Sequence, residues 1–254
     1  MIEIIDTNKY IQTINLTKMK FFKNLLLAGF ALTSMTVFAQ TADEIVAKNI
    51  EAMGGEAKLA SLTSFKKAGT MSVQGQDFPM TMTVDHMKGF RMDFEVMGTS
   101  NYQIITPTKG STFIPIQQMT EPKISTEEEL KEMQGAINIH SALYNYKAKG
   151  TTVELVGDDK VDAADVYKLK VTQKSGKSSF YLIDKKTNRV VKTIAKSKGP
   201  DGTEMDVETP YGDYKQNANG YWFAYTTAIQ GGMVSVAFDK IETNIKIDEN
   251  IFKD

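Results

Sequence analysis

Phe78-Pro79-Met80-Thr81-Met82-Thr83-Val84-Asp85 and, beyond a short turn, Phe90-Arg91-Met92-Asp93-Phe94-Glu95-Val96 alternate almost without error. Successive side chains on a strand point to opposite faces. Phe78, Met80, Met82 and Val84 therefore share one face, as do Phe90, Met92, Phe94 and Val96. Thr81, Thr83, Asp85, Arg91, Asp93 and Glu95 take the other. The pattern predicts a hairpin with one apolar and one wet face. The apolar face holds more Met and Phe than Val and Ile, and Met71, Met80, Met82, Met87, Met92 and Met97 fall within 27 residues. Met is flexible and polarizable, and it is over-used at surfaces that accept varied apolar partners. Such a face is either an ordinary core or the wall of a lipid cavity. The methionine enrichment fits an adaptable lining better than a sharply specified core.

Outward from this hairpin the chain reads as a long antiparallel meander. A helix opens it, capped by Thr41 or Asp43 and ended by Gly54-Gly55, with Ile45, Val46, Asn49, Ile50 and Met53 at helical spacing. Strands are expected at Phe65–Val73, at the two alternating runs, at Gln103–Thr106 and at Ser111–Ile116. A helical block follows from Ser125 to about Tyr146, with a capping box from Ser125 to Glu128 and a bend or break at Gly135. Its apolar face would be Leu130, Met133, Ile137 and Leu143. Later strands are expected at Val153–Val156, Val166–Gln173, Ser179–Asp184, Val190–Lys196, Met205–Tyr214, Phe223–Gln230 and Met233–Thr243, with a turn at Asp158-Asp159. Many strands with one apolar face each must bury it against a second sheet, by curling, or against helices.

From Met19 the sequence shows a basic start, an apolar run over Leu25–Leu32, and Ala39 before Gln40. This is the pattern of a secretory signal, with an apolar run too short to span a membrane. Residues 1–18 fit no targeting pattern and read as a start assigned too early or a disordered extension. Cleavage after Ala39 leaves residues 40–254 as one domain of 215 residues. It also removes four lysines and two acids, which leaves 26 basic and 29 acidic residues and a net charge of −3. That balance argues against a nucleic-acid partner. The chain has no cysteine, hence no disulfide, no thiolate metal site and no lipobox. An exported chain without disulfides fits a bacterial periplasm.

Chemistry-bearing motifs are sparse. His86 and His140 are the two histidines, one on a strand and one in the helical block. They are not at zinc-ligand spacing, and no phosphate loop or nucleophile elbow appears. Glu127-Glu128-Glu129 reads as a helix start. A two-carboxylate hydrolase stays open with nothing pointing to it. The chain therefore reads as a non-enzyme with no cofactor and no metal.

Four stretches carry a resemblance. They are Tyr167–Val171, Phe180–Asp184 with Lys186-Thr187-Asn188, Tyr211–Tyr214, and Ile241 to Phe252. In that order they resemble the outer-membrane lipoprotein-sorting proteins, including the periplasmic lipoprotein carrier. The opening helix ending Ala52-Met53-Gly54-Gly55 is similar to the Bacteroidetes branch of that superfamily. The resemblance implies an α+β fold: a strongly curved antiparallel sheet, an incomplete barrel, with helices covering its concave face. It implies a carrier for a lipid or lipoprotein acyl chain, moved towards the outer membrane between inner- and outer-membrane donor and acceptor proteins. The expected wall is Phe78, Met80, Met82, Val84, Phe90, Met92, Phe94 and Val96, and the expected lid carries Leu130, Met133, Ile137 and Leu143. The carrier's early-strand arginine, which holds its lid, has no counterpart by parity, because Arg91 lies on the wet side. A monomer is expected. The alternative is a non-catalytic binding or scaffold module with a filled core and a protein partner.

Overall fold

Alternation with one apolar face per strand dictates a sheet that must hide that face, and the computed structural model shows how. It describes residues 40–198, 203–229 and 233–253. The signal and early-start readings concern residues 1–39 and lie outside the described residues. Helix α1 (Ala42–Ala52) is capped by Thr41, whose hydroxyl accepts from the Glu44 N–H while the Glu44 carboxylate accepts from the Thr41 N–H. Gly54 and Gly55 end it at φ +113° and +85°, a region in which a side chain is strained. A short α2 (Glu56–Ala60) leads into the sheet.

The strands are β1 (Ser64–Val73), β2 (Gln76–Asp85), β3 (Gly89–Val96), β4 (Thr99–Ile105), β5 (Gly110–Phe113) and β6 (Lys123–Ile124). After the lid segment come β7 (Thr152–Val161), β8 (Ala164–Thr172), β9 (Ser178–Asp184), β10 (Val190–Lys198), β11 (Glu204–Gln216), β12 (Trp222–Ile229) and β13 (Val234–Thr243). Among the described residues they form one 13-stranded sheet in the order β6-β5-β4-β3-β2-β1-β13-β12-β11-β10-β9-β8-β7. Every paired neighbour is antiparallel. The sheet is curved and not closed. Its two edges, β6 and β7, are consecutive strands, so the segment between them carries the chain from one edge to the other. The fold class expected from the sequence is the one observed.

Register shifts occur in the β1–β13, β9–β10 and β7–β8 ladders. The β1–β13 ladder shifts register between Ala68 and Gly69, leaving Asp239 without a partner in β1. Such a bulge bends and twists a strand. A Cβ on Gly69 would collide with the carbonyl oxygen of Ala237 and approach the Phe238 Cα to 2.6 Å. Pro79 is tolerated in β2 because the β2–β3 ladder begins only at Met80↔Phe94.

Several expected boundaries are corrected. The Ser125–Tyr146 block is helical only over α3 (Glu127–Met133) and a 3-10 turn at Gln134–Ile137, and residues 142–150 are turns. There Asn138 and Ser141 bond the backbone N–H groups of His140 and Leu143, and Asn145 takes φ +53°. Side chains that capture nearby backbone in this way compete with helix. The capping box of α3 is Thr126 with Glu129, not Ser125 with Glu128, because the Ser125 N–H donates to the Gly110 carbonyl. Asp158 and Asp159 lie inside β7 rather than in a turn, both exposed, on opposite faces of the strand and paired with Lys185 and Lys168. Strand β4 starts at Thr99, four residues earlier than its apolar content signals.

Replacing Gly69 with Val drives a branched side chain into the β13 backbone. We expect a loss of roughly 1–3 kcal/mol or more, read as a lower urea midpoint.

Candidate functional site

Cross-strand register turns the alternating runs into rows on the concave face. One row is Phe65, Val84, Phe90 and Ile105, and the next is Lys67, Met82, Met92 and Gln103. A third is Gly69, Met80, Phe94 and Asn101, and beyond it Met71 pairs with Phe78 on one side and Val236 on the other. Met71, Met80, Val234, Val236, Phe238 and Ile241 form a buried cluster. Phe78, Met82, Met92, Phe94, Phe223 and Tyr225 pack against that cluster yet stay partly accessible. The concave face thus keeps a partly accessible apolar strip.

The expected wall residues fall on this face in two adjoining groups. Phe78, Met80, Met82, Met92 and Phe94 belong to the cluster just described. Val84 and Phe90 belong to a second, with Phe65, Ile105 and the lid residues Leu130, Met133 and Ile137. Met82 and Met92 touch both. Val96 is partly buried and joins neither. Leu143 is fully buried in a third cluster, where α1 lays Ile45 and Val46 on Leu169, Val171 and Ile183. The segment from α3 to Leu143 therefore spans both halves of the curl.

The cover is attached at several points. The Glu132 carboxylate of α3 accepts from the Lys177 ammonium at 2.5 Å, reaching the turn between β8 and β9. Lys123 of the β6 edge pairs with Glu129 at 2.9 Å. A recess of about 800 Å³ opens between α3 and β9–β10, lined by Thr112, Met133, Gln173, Ser179 and Ala195 among others. At the other end of the lid, the Met87 N–H donates to the Ile137 carbonyl at 2.9 Å and the Ile139 N–H to His86 Nδ1 at 3.3 Å. The His86 and His140 rings meet edge-on at 4.7 Å, and His140 lies 4.6 Å from the Tyr144 ring.

Lys67 was not singled out by sequence reasoning, although its parity with Phe65 and Met71 places it on the apolar face. Its ammonium sits over the rings of Phe65, Phe223 and Phe238 at 4.7, 5.0 and 5.0 Å from their centroids. Burial pulls it down to about 8 from 10.5. Among the described residues it has no ion-pair or hydrogen-bond partner. Arg91 faces the opposite way. It pairs with Asp93 at 2.7 Å and donates to the Ile251 carbonyl at 2.8 Å. Phe252 lies over Gly89 on the same face, so the C-terminal segment is pinned across the convex side. No group of three or more His, Cys, Asp or Glu residues among the described residues is arranged to hold a metal. No helix among them is long and apolar enough to cross a membrane.

The two histidines tie lid stability to pH. Burial first, then His86 and Lys149, pull His140 down to about 4 from 6.5. Burial and Lys149 lower His86 as well, against Asp85. As pH falls, the unfolded chain takes up the His140 proton first. Stability from this group is full above 6.5 and is lost between 6.5 and 4. We expect the unfolding temperature to fall across that window, and His140→Phe to flatten the fall.

No family model matches the chain, and no curated protein matches it. Among solved structures it is similar to a LolA superfamily protein from Nitrosomonas europaea, with a TM-score of 0.52 and 15% identity over 85% of this chain and 99% of that one. It is also similar to a Vibrio parahaemolyticus domain described as outer membrane lipoprotein-sorting, with a TM-score of 0.47 and 14% identity over 83% and 95% of the two chains. The chain has the fold of the LolA superfamily.

Proposed function

We propose that this chain is a periplasmic carrier or chaperone that holds a lipid or lipoprotein acyl chain on its concave face and moves it towards the outer membrane. The observation that carries this reading is the partly accessible strip of Phe78, Met82, Met92, Phe94, Phe223 and Tyr225 beside a cover of α3 and one 3-10 turn. Burying each such side chain against an acyl chain contributes up to about 1.5–3 kcal/mol, without covalent chemistry. The methionines let one wall fit chains of different length and branching. The signal pattern over residues 19–39 supports export. We read the protein as a monomer that receives cargo from an inner-membrane donor and passes it to an outer-membrane acceptor, with no catalytic step.

The test is uptake of a fluorescent acyl probe by residues 40–254. Met82→Asp and Met92→Asp each place a carboxylate in the centre of the wall. We expect affinity to fall about tenfold or more for each, since a bound chain would desolvate the charge. Near-UV circular dichroism verifies the fold. A folded variant that takes up the probe as the wild type does would refute the wall assignment.

A further inference from the structure

Over the strands that carry the accessible strip, the concave face is charged at one point. On β1, β2, β3, β4, β12 and β13, the inward positions among the described residues are Phe, Met, Val, Ile, Tyr, Thr, Asn, Gln and Gly, with Lys67 the one charged side chain. Lys67 stands on β1, near the middle of the 13-strand order and so at the floor of the curl rather than at its rim. A lysine placed only to cap a helix or meet a carboxylate would show that partner. This one has three phenyl rings and no acceptor among the described residues. Aromatic faces attract a cation without accepting its three N–H donors, and Lys67 stays partly accessible. Burial without an anion disfavours the charged form, in keeping with its lowered pKa. An anion that reaches the strip would meet its N–H donors directly.

We propose that Lys67 is the head-group site of the cavity, and that the preferred ligand is a single-chain amphiphile with a small anionic head, a fatty-acid-type carboxylate. The head enters first and meets the ammonium at the floor. The tail then lies along Met82 and Met92, which share the cross-strand row of Lys67 as far as Gln103 on β4. The Gln103 amide donates to the sulfur of Met133 on the lid at 3.6 Å. That row therefore runs from the cation at the floor to the underside of the cover. A carboxylate fits better than a substituted phosphodiester, because the rings of Phe65, Phe223 and Phe238 crowd the ammonium, with centroids at 4.7, 5.0 and 5.0 Å.

This inference rests on the reading of the concave face as an acyl site, and its test separates the two. Affinities of residues 40–254 are measured by calorimetry for four ligands of equal chain length: a fatty acid, its methyl ester, the corresponding lysophosphatidic acid and the alkylamine. A charge-assisted hydrogen bond predicts that the carboxylate binds about tenfold or more tighter than the ester. The amine is expected to bind weakest, and the bulkier phosphate below the carboxylate. Lys67→Met is expected to bring the acid and ester affinities together. Equal binding of acid and ester by the wild type, or a preference that survives in Lys67→Met, overturns the head-group site while leaving the acyl site standing. A phosphate that binds tighter than the carboxylate keeps the anion site and overturns the fatty-acid assignment. Failure of all four ligands to bind overturns the acyl reading itself.

Discussion

The structure depends on a seam that is left open. A sheet of thirteen strands curls far enough to bring its ends towards each other, yet its end strands β6 and β7 do not pair. They are neighbours in sequence. The chain leaves one edge, passes through α3 and the segment to Leu143, and enters the other edge at Thr152. A single curled sheet has no second sheet to cover its apolar side. That side must be buried by the connecting segment, by α1, or by a guest.

The two halves meet this requirement differently. Under α1 the centre is closed, with Ile45, Leu143, Leu169, Val171 and Ile183 fully enclosed. Over β1 to β4 the cover is two turns of α3 and a 3-10 turn, and several wall residues remain accessible. The ion pairs that attach this cover, Glu132 with Lys177 and Lys123 with Glu129, are largely exposed. Exposed pairs of this kind contribute about 0–1 kcal/mol each. The two halves thus differ in how much of their apolar face stays accessible. The C-terminal segment, pinned by Arg91 and by Phe252 over Gly89, stiffens the convex side behind the wall.

The shared face was legible because a period of two admits one reading: Phe78, Met80, Met82 and Val84 had to lie together. The first helix was legible from Thr41 and Gly54-Gly55, whose capping chemistry is local. The lid was legible as helical but not in extent. Ser141, Asn138 and Asn145 divert the backbone through short-range bonds that apolar spacing does not register. The pairing of β1 with β13 had no local signal at all, since it joins the two ends of the meander. Lys67 was missed for a related reason. Within Phe65 to Val73 the second of two adjacent lysines reads as a lapse in alternation. It becomes meaningful only when Phe223 and Phe238 arrive from the far end of the chain.

The most direct measurement is mass spectrometry of organic extracts from residues 40–254, purified from the native cell envelope without detergent. The account predicts a defined lipid, fatty acid or acylated peptide at about one per chain. An extract that stays empty, even after the protein has been mixed with envelope lipids, would contradict it and leave a filled-core binding module in its place.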